Sequence, residues 1–218
     1  MRNAGRGMTL TEIVATVAVA MLVLGGLVVI FLSALINGGG SRRMQNNTQL
    51  RSVHQGLVMY GGGNGAYYPG LDAEGEPVAI DVEDRLKLLL DGDYFSPDYL
   101  VNPQDAARTP WESGPFTSDH YSYAVLQVPE AGGRHDEWRE TLNTNAIVLG
   151  DRNTGTADAP ASVHDSEQWR GGVVWNDNHV GFETTHRLDT AYGGFEHTDD
   201  HIFKADGDDD AYLIHSGN

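Results

Sequence analysis

Between Ile13 and Ile36 the chain carries 24 residues without a charged side chain, and only Thr16 and Ser33 among them are polar. As a helix they would extend about 36 Å at ~1.5 Å per residue. The hydrocarbon core of a bilayer is about 30 Å thick and takes about 20 such residues. The run therefore predicts a membrane-crossing helix over about 13–36. A short basic leader with Arg2 and Arg6 precedes it. Keeping those arginines on the cytoplasmic side orients the rest of the chain outward, against the competing pull of Arg42 and Arg43. A secretory signal would have an apolar core of about 7–15 residues followed by a small-residue cleavage site. Here the small residue, Gly7, comes before the apolar run. A cut between Gly7 and Met8 would leave the helix on the product, with Glu12 close to the new amino terminus. A carboxylate in that setting needs a partner, because at the centre of a bilayer it costs about 2.5–3.5 kcal/mol. The freed amino terminus of a neighbouring copy is a candidate.

The stretch Gly7-Met8-Thr9-Leu10-Thr11-Glu12 followed by an apolar helix resembles the class III signal of type IV prepilins and type II secretion pseudopilins. A second, independent stretch is similar to a subset of pseudopilin-like proteins: Gln49 to Leu57, then Tyr67-Tyr68-Pro69-Gly70. The resemblance implies cleavage after Gly7 by a prepilin peptidase and methylation of the new N-terminus. It also implies that Glu12 registers copies in a filament. Met8 departs from the usual phenylalanine, which touches methylation more than cleavage. Implied partners are the peptidase, other copies or related pilin subunits, an inner-membrane assembly platform and membrane lipid. The implied location is the inner (cytoplasmic) membrane, single-pass, with the C-terminal domain extracytoplasmic and exposed on a periplasmic or cell-surface filament after assembly.

Charge is divided unevenly along the chain. Residues 1–60 hold five arginines and one acid, formally +4, whereas residues 61–218 are formally −21, within a net charge of −17. An ectodomain of that sign repels phosphate backbones and excludes nucleic acid as its partner. With no cysteine, an exported domain must be held by its core, by a metal or by assembly.

The expected organisation is a leader (1–7), an N-terminal helix (8–60) and an acidic globular domain (61–218). Asn37-Gly38-Gly39-Gly40 is a strong breaker, each glycine costing about 1 kcal/mol against alanine. Met44, Leu50, Val53, Leu57 and Val58 then return at helical spacing. A second, amphipathic helix over about Ser41–Tyr60 is expected, continuous with the first or hinged at the glycines. Gly25-Gly26 is a further weak point, for melting on assembly or for close helix packing. Gly61 to Gly65 ends the helix and lacks the Gly-Lys-Ser/Thr of a phosphate loop. Asp81–Leu90 reads as a short helix stopped by Gly92. Tyr121–Val128 and Ala146–Asp151 read as strands, and Gly132 to His135 as an exposed loop. Gly172–Trp175 and His179–Glu183 read as a hairpin around Asn176-Asp177-Asn178, residues that tolerate left-handed backbone. That hairpin resembles the C-terminal motif of the same family, with Asn178 replacing a glycine.

The sharpest polar cluster is the tail: Asp199, Asp200, Asp206, Asp208 and Asp210. Asp206, Asp208 and Asp210 have the alternate spacing of a calcium loop, but Ala211 and Gly217 stand where an EF-hand wants glycine and glutamate. Calcium there and a solvated acidic tail are both open, and the resemblance adds that some pseudopilins carry calcium in a C-terminal loop. His197 and His201 share the histidine spacing of a zinc helix without its glutamate. The chain lacks a Gly-x-Ser-x-Gly elbow and a cysteine nucleophile. Trp111, Trp138, Trp169 and Trp175 fit a core or an interface better than a sugar platform. The expected fold class is α+β: a long hydrophobic, pilin-like N-terminal helix followed by a small, mainly antiparallel sheet domain. The expected function is a non-enzymatic, prepilin-like structural subunit of a type II secretion pseudopilus or type IV pilus-like filament, requiring no cofactor. The alternative is a membrane-anchored extracytoplasmic metal-binding module or metal-dependent enzyme.

Overall fold

A computed structural model of the protein describes residues 10–78, 81–128 and 135–216. The leader with Gly7 and Met8, and most of the loop expected at 132–135, lie outside them. Among the described residues there are two α-helices, α1 (Leu10–Gly62) and α2 (Val82–Asp91). Helix α1 runs without interruption through Asn37-Gly38-Gly39-Gly40, where a break or hinge was one expectation. Helix propagation is cooperative once either flank has nucleated, and that offsets about 1 kcal/mol per glycine.

Among the described residues no helix is long and apolar enough to cross a membrane. This finding corrects two expectations: the long hydrophobic, pilin-like helix spanning a bilayer over about 13–36, and the single-pass inner-membrane location with an extracytoplasmic domain. The physical reason is plain over 40–62. Arg42, Arg43 and Arg51 fall within that stretch, and each would cost about 2.5–3.5 kcal/mol at the centre of a bilayer. Its buried apolar residues, Leu50, Val53 and Leu57, share one face. That stretch of α1 is an amphipathic helix made to lie against a sheet.

The strands are β1 (Tyr123–Leu126), β2 (Ile147–Asp151), β3 (Gly171–Trp175), β4 (Val180–Glu183), β5 (Arg187–Tyr192), β6 (Phe195–His201) and β7 (Leu213–Ile214). Five of them form an antiparallel sheet in the order β4-β3-β2-β1-β7, and β5 pairs with β6 in a separate two-stranded sheet. Each sequence-expected strand is present, within a residue or two at its ends. The β3–β4 connection is the expected hairpin, with Asn178 at φ +69°. Its Asn178 N–H donates to the Trp175 carbonyl at 2.9 Å, a tight turn closed by one left-handed residue. The β5–β6 hairpin lies in the charged segment read only for its metal ligands. Its turn is Gly193-Gly194, both at positive φ, the pair that a two-residue hairpin favours.

The chain divides into two compact units inside α1, residues 1–42 and 43–218. The core of the larger unit takes Leu50, Val53 and Leu57 from α1, and Val82, Leu86 and Leu89 from α2. All five residues of β2 are buried, so Ile147-Val148-Leu149 runs apolar without alternation before Gly150 and Asp151. Gly172 on β3 permits the close approach of α1: a Cβ there would lie 2.5 Å from Leu50 Cδ1. Trp138 and Trp169 are fully buried, and Trp111 and Trp175 pack on the core's edge, in keeping with a packing role.

Leu50, fully buried, packs against Gly172 of β3. Leu50→Ala should lower the stability of the domain by about 2–5 kcal/mol, read as a drop in the urea midpoint with an unchanged slope.

Candidate functional site

The deepest polar constellation lies between α1 and the sheet. Asp151, at the end of β2, is buried. Asn46 Nδ2 on α1 donates to both its carboxylate oxygens, at 3.1 and 3.0 Å. Asn102 Nδ2 donates to Oδ1 at 2.7 Å, and the Gly172 N–H to Oδ2 at 2.6 Å. His164 Nε2 lies 3.1 Å from Oδ2. Tyr123 on β1 donates to Asn46 Oδ1 at 2.9 Å. Burying a carboxylate is tolerable only with such a set of donors, and here they come from α1, β3 and two loops. The arrangement ties elements together.

A second constellation centres on Asn176, in the β3–β4 turn. Its Oδ1 accepts from Tyr68 Oη at 2.8 Å and lies 3.4 Å from His54 Nε2. Its Nδ2 is 2.8 Å from the Glu137 and Arg139 carbonyls and from Thr141 Oγ1. His54 Nδ1 faces Asn178 Oδ1 at 3.2 Å. Burial holds the His54 imidazole below its ordinary pKa, so near neutral pH the ring is uncharged. A neutral ring donates through one nitrogen only, and the Asn178 amide satisfies the other when turned to donate. Above this turn, His54, Gln55, Val58, Met59, Glu140, Leu142, Asp177 and Asn178 line a half-open groove of about 400 Å³.

A larger cleft of about 810 Å³ flanks the edge strand β7, with Asn153, Thr156, Lys204, Tyr212 and His215 in its lining. Burial pushes the His215 ring down to about 4. Its Nε2 lies 3.1 Å from the Tyr121 carbonyl, so the neutral ring donates there and secures the C-terminal segment to the start of β1.

The sequence-predicted site residues fall in three places. Gly7 and Met8 are outside the described residues. Glu12 is exposed in the first turn of α1, where a carboxylate suits the positive end of the helix dipole, and Thr16 Oγ1 donates to its carbonyl at 2.7 Å. Of the five aspartates, Asp206 and Asp210 come close enough to Asp200 to repel it. Asp199 occupies a bulge in β6 at φ +56°, and Arg187 Nη1 lies 3.4 Å from its Oδ2. Asp206 and Asp208 are exposed. Asp210 is buried, with its oxygens engaged by the Asp206 and Ala211 N–H groups at 2.8 and 2.6 Å. Asp200 is buried and accepts from Thr190 Oγ1 at 2.5 Å. His197 and His201 lie on strand β6, so their spacing does not put them on one helical face. Among the described residues no group of three or more histidines and carboxylates is placed to hold a metal ion.

Asp151 and Asn176 carry the two polar centres, and neither stood out in the sequence as more than turn or strand-end chemistry. The one available signal was an aspartate, Asp151, that follows the apolar run Ile147–Leu149 after a single glycine. A charge at the end of a buried strand must find donors or leave the core.

Asp200 gives a pH-dependent test. Burial, with repulsion from Asp210 and Asp206 and despite the Thr190 hydrogen bond, raises its carboxyl to about 6. The native state therefore holds a proton on Asp200 between about pH 4 and 6 that the unfolded chain has released. Asp200 thus opposes folding above pH 6, and this effect fades as pH falls through that window. Asp200→Asn should raise the melting temperature at pH 7.5, by about 2–4 °C for each kcal/mol relieved. The gain should shrink toward zero near pH 4 in thermal melts of the two proteins.

No family model, no curated protein and no solved structure matches the chain.

Proposed function

We propose that the chain is a prepilin-like structural subunit, cleaved after Gly7 by a prepilin peptidase and assembled with other copies through helix α1. The filament would be of the type II secretion pseudopilus or type IV pilus kind, and the work of the protein mechanical, without turnover of a substrate. The observation that supports this best is the make-up of the smaller unit. Within residues 10–42, α1 exposes Val17, Val19, Met21 and Leu24, of which Val17, Met21 and Leu24 stand at intervals of four and three. That spacing places them on one side of the helix. Apolar side chains exposed in a row mark a surface that something covers. The same face of neighbouring copies is a natural cover, because ridges of one helix fill the grooves of another.

The larger unit agrees with a structural role. Its buried polar groups, at Asp151 and Asn176, join helix, strands and loops. The acidic surface beyond residue 60 keeps such domains soluble and apart, leaving cohesion to the helix.

Intact-mass and N-terminal peptide analysis of the protein from its native cells tests the proposal. The expected product begins at Met8, with or without one added methyl, and Gly7→Ala should leave the chain unprocessed. A chain that begins at Met1 in the wild type, or a normal mature N-terminus in the Gly7→Ala variant, would overturn it.

A further inference from the structure

The groove over the β3–β4 turn has apolar walls and an acidic rim. Met59 and Leu142 stand 63% and 67% exposed beside it, Val58 lies between, and the carboxylates of Glu140 and Asp177 border it. Its floor is His54, Asn176 and Asn178, already bonded to one another. The floor is therefore rigid and the walls are free.

An exposed strip of α1 carries the complementary chemistry. Met44 and Arg51 are seven residues apart and face solvent on the same side of the helix, with Thr48 between them. Met44 is 73% exposed, among the most exposed large apolar side chains of the larger unit. Positions seven apart share a helical face. Charge decides what this strip can meet. Residues 61–218 are formally −21, and every arginine before them lies within residues 1–51. Two copies brought domain to domain repel, whereas helix strip against domain attracts.

We propose that the groove receives the Met44–Arg51 face of α1 from a second copy of the chain, resting on the assembly role proposed above. Met44 enters between Met59 and Leu142, where a flexible thioether fills an irregular apolar space well. Arg51 meets the carboxylate rim of Glu140 and Asp177. The donor strip and the receiving groove are different surfaces, so the contact is heterologous. Each copy offers both, and the series extends as an open row unless its rotation closes a ring.

The absence of cysteine makes the test clean. Met44→Cys and Leu142→Cys are made singly in the full chain, mixed in equal amounts and mildly oxidised, and the disulfide products are identified by mass. The expected result is a mixed 44–142 dimer above its random share. Glu140→Arg on the Leu142→Cys partner should reduce it roughly fivefold or more, and Arg51→Glu on the other partner should restore it. A random product distribution, a preferred 142–142 dimer, or a mixed dimer indifferent to both charge reversals would overturn the proposal. Processing at Gly7 is read independently, so a processed chain with random cross-linking defeats the groove contact alone. An unprocessed chain that still gives the charge-dependent 44–142 product defeats the prepilin role and leaves the contact standing.

Discussion

Asp151 sits at the end of the central strand β2 without access to water, and four parts of the chain converge on its two oxygens. Asn46 reaches it from α1, Gly172 from β3, and Asn102 and His164 from loops. A charge so placed is stable only while all of them stay in position, since an orphaned buried carboxylate costs several kcal/mol. The carboxylate thereby sets the register of the helix on the sheet. Leu50, Val53 and Leu57 supply the apolar adhesion, but a hydrophobic stripe alone would tolerate sliding. The polar clamp and the close approach at Gly172 remove that freedom.

The Asn176 centre acts on the same helix about two turns further along. It connects the β3–β4 turn to His54, to Tyr68 and to the 137–141 segment. Between the two centres α1 is held at Asn46 and His54 on one side, which leaves Met44, Thr48, Arg51 and Gln55 facing solvent. The groove exists because the turn is pinned while Met59 and Leu142 are not buried. Clamp, exposed strip and groove are consequences of one helix orientation.

Much of the sheet was legible in the sequence. The apolar runs at 123–126 and 147–151 and the Asn-Asp-Asn turn announced β1 to β4, because buried strands and left-handed turn residues leave local signals. The β5–β6 hairpin was obscured by charge. Leu188, Ala191 and Tyr192 are sparse among acids and histidines, and the Gly193-Gly194 turn was the surviving clue. Membrane crossing was inferred from the apolar content of 13–36 alone. The continuity of α1 through three glycines shows that local propensity is a weak guide when both flanks are helical. The polar centres were not legible, because Asn46, Asn102 and His164 come together only through long-range packing. The tail aspartates look alike in sequence but differ in setting: Asp200 and Asp210 are buried, Asp206 and Asp208 are exposed, and Asp199 sits in a bulge.

Helix α1 is packed into its own domain through Leu50, Val53 and Leu57, and in the proposed role its stretch 10–42 is covered by further copies. Amide hydrogen exchange as a function of protein concentration tests this, with the central strand β2 (Ile147–Asp151) as internal reference. Protection over 10–42 should rise as concentration rises, while protection over β2, buried in the core at every concentration, stays constant. Exchange over 10–42 that is independent of concentration, across a range in which larger assemblies form, would contradict the account.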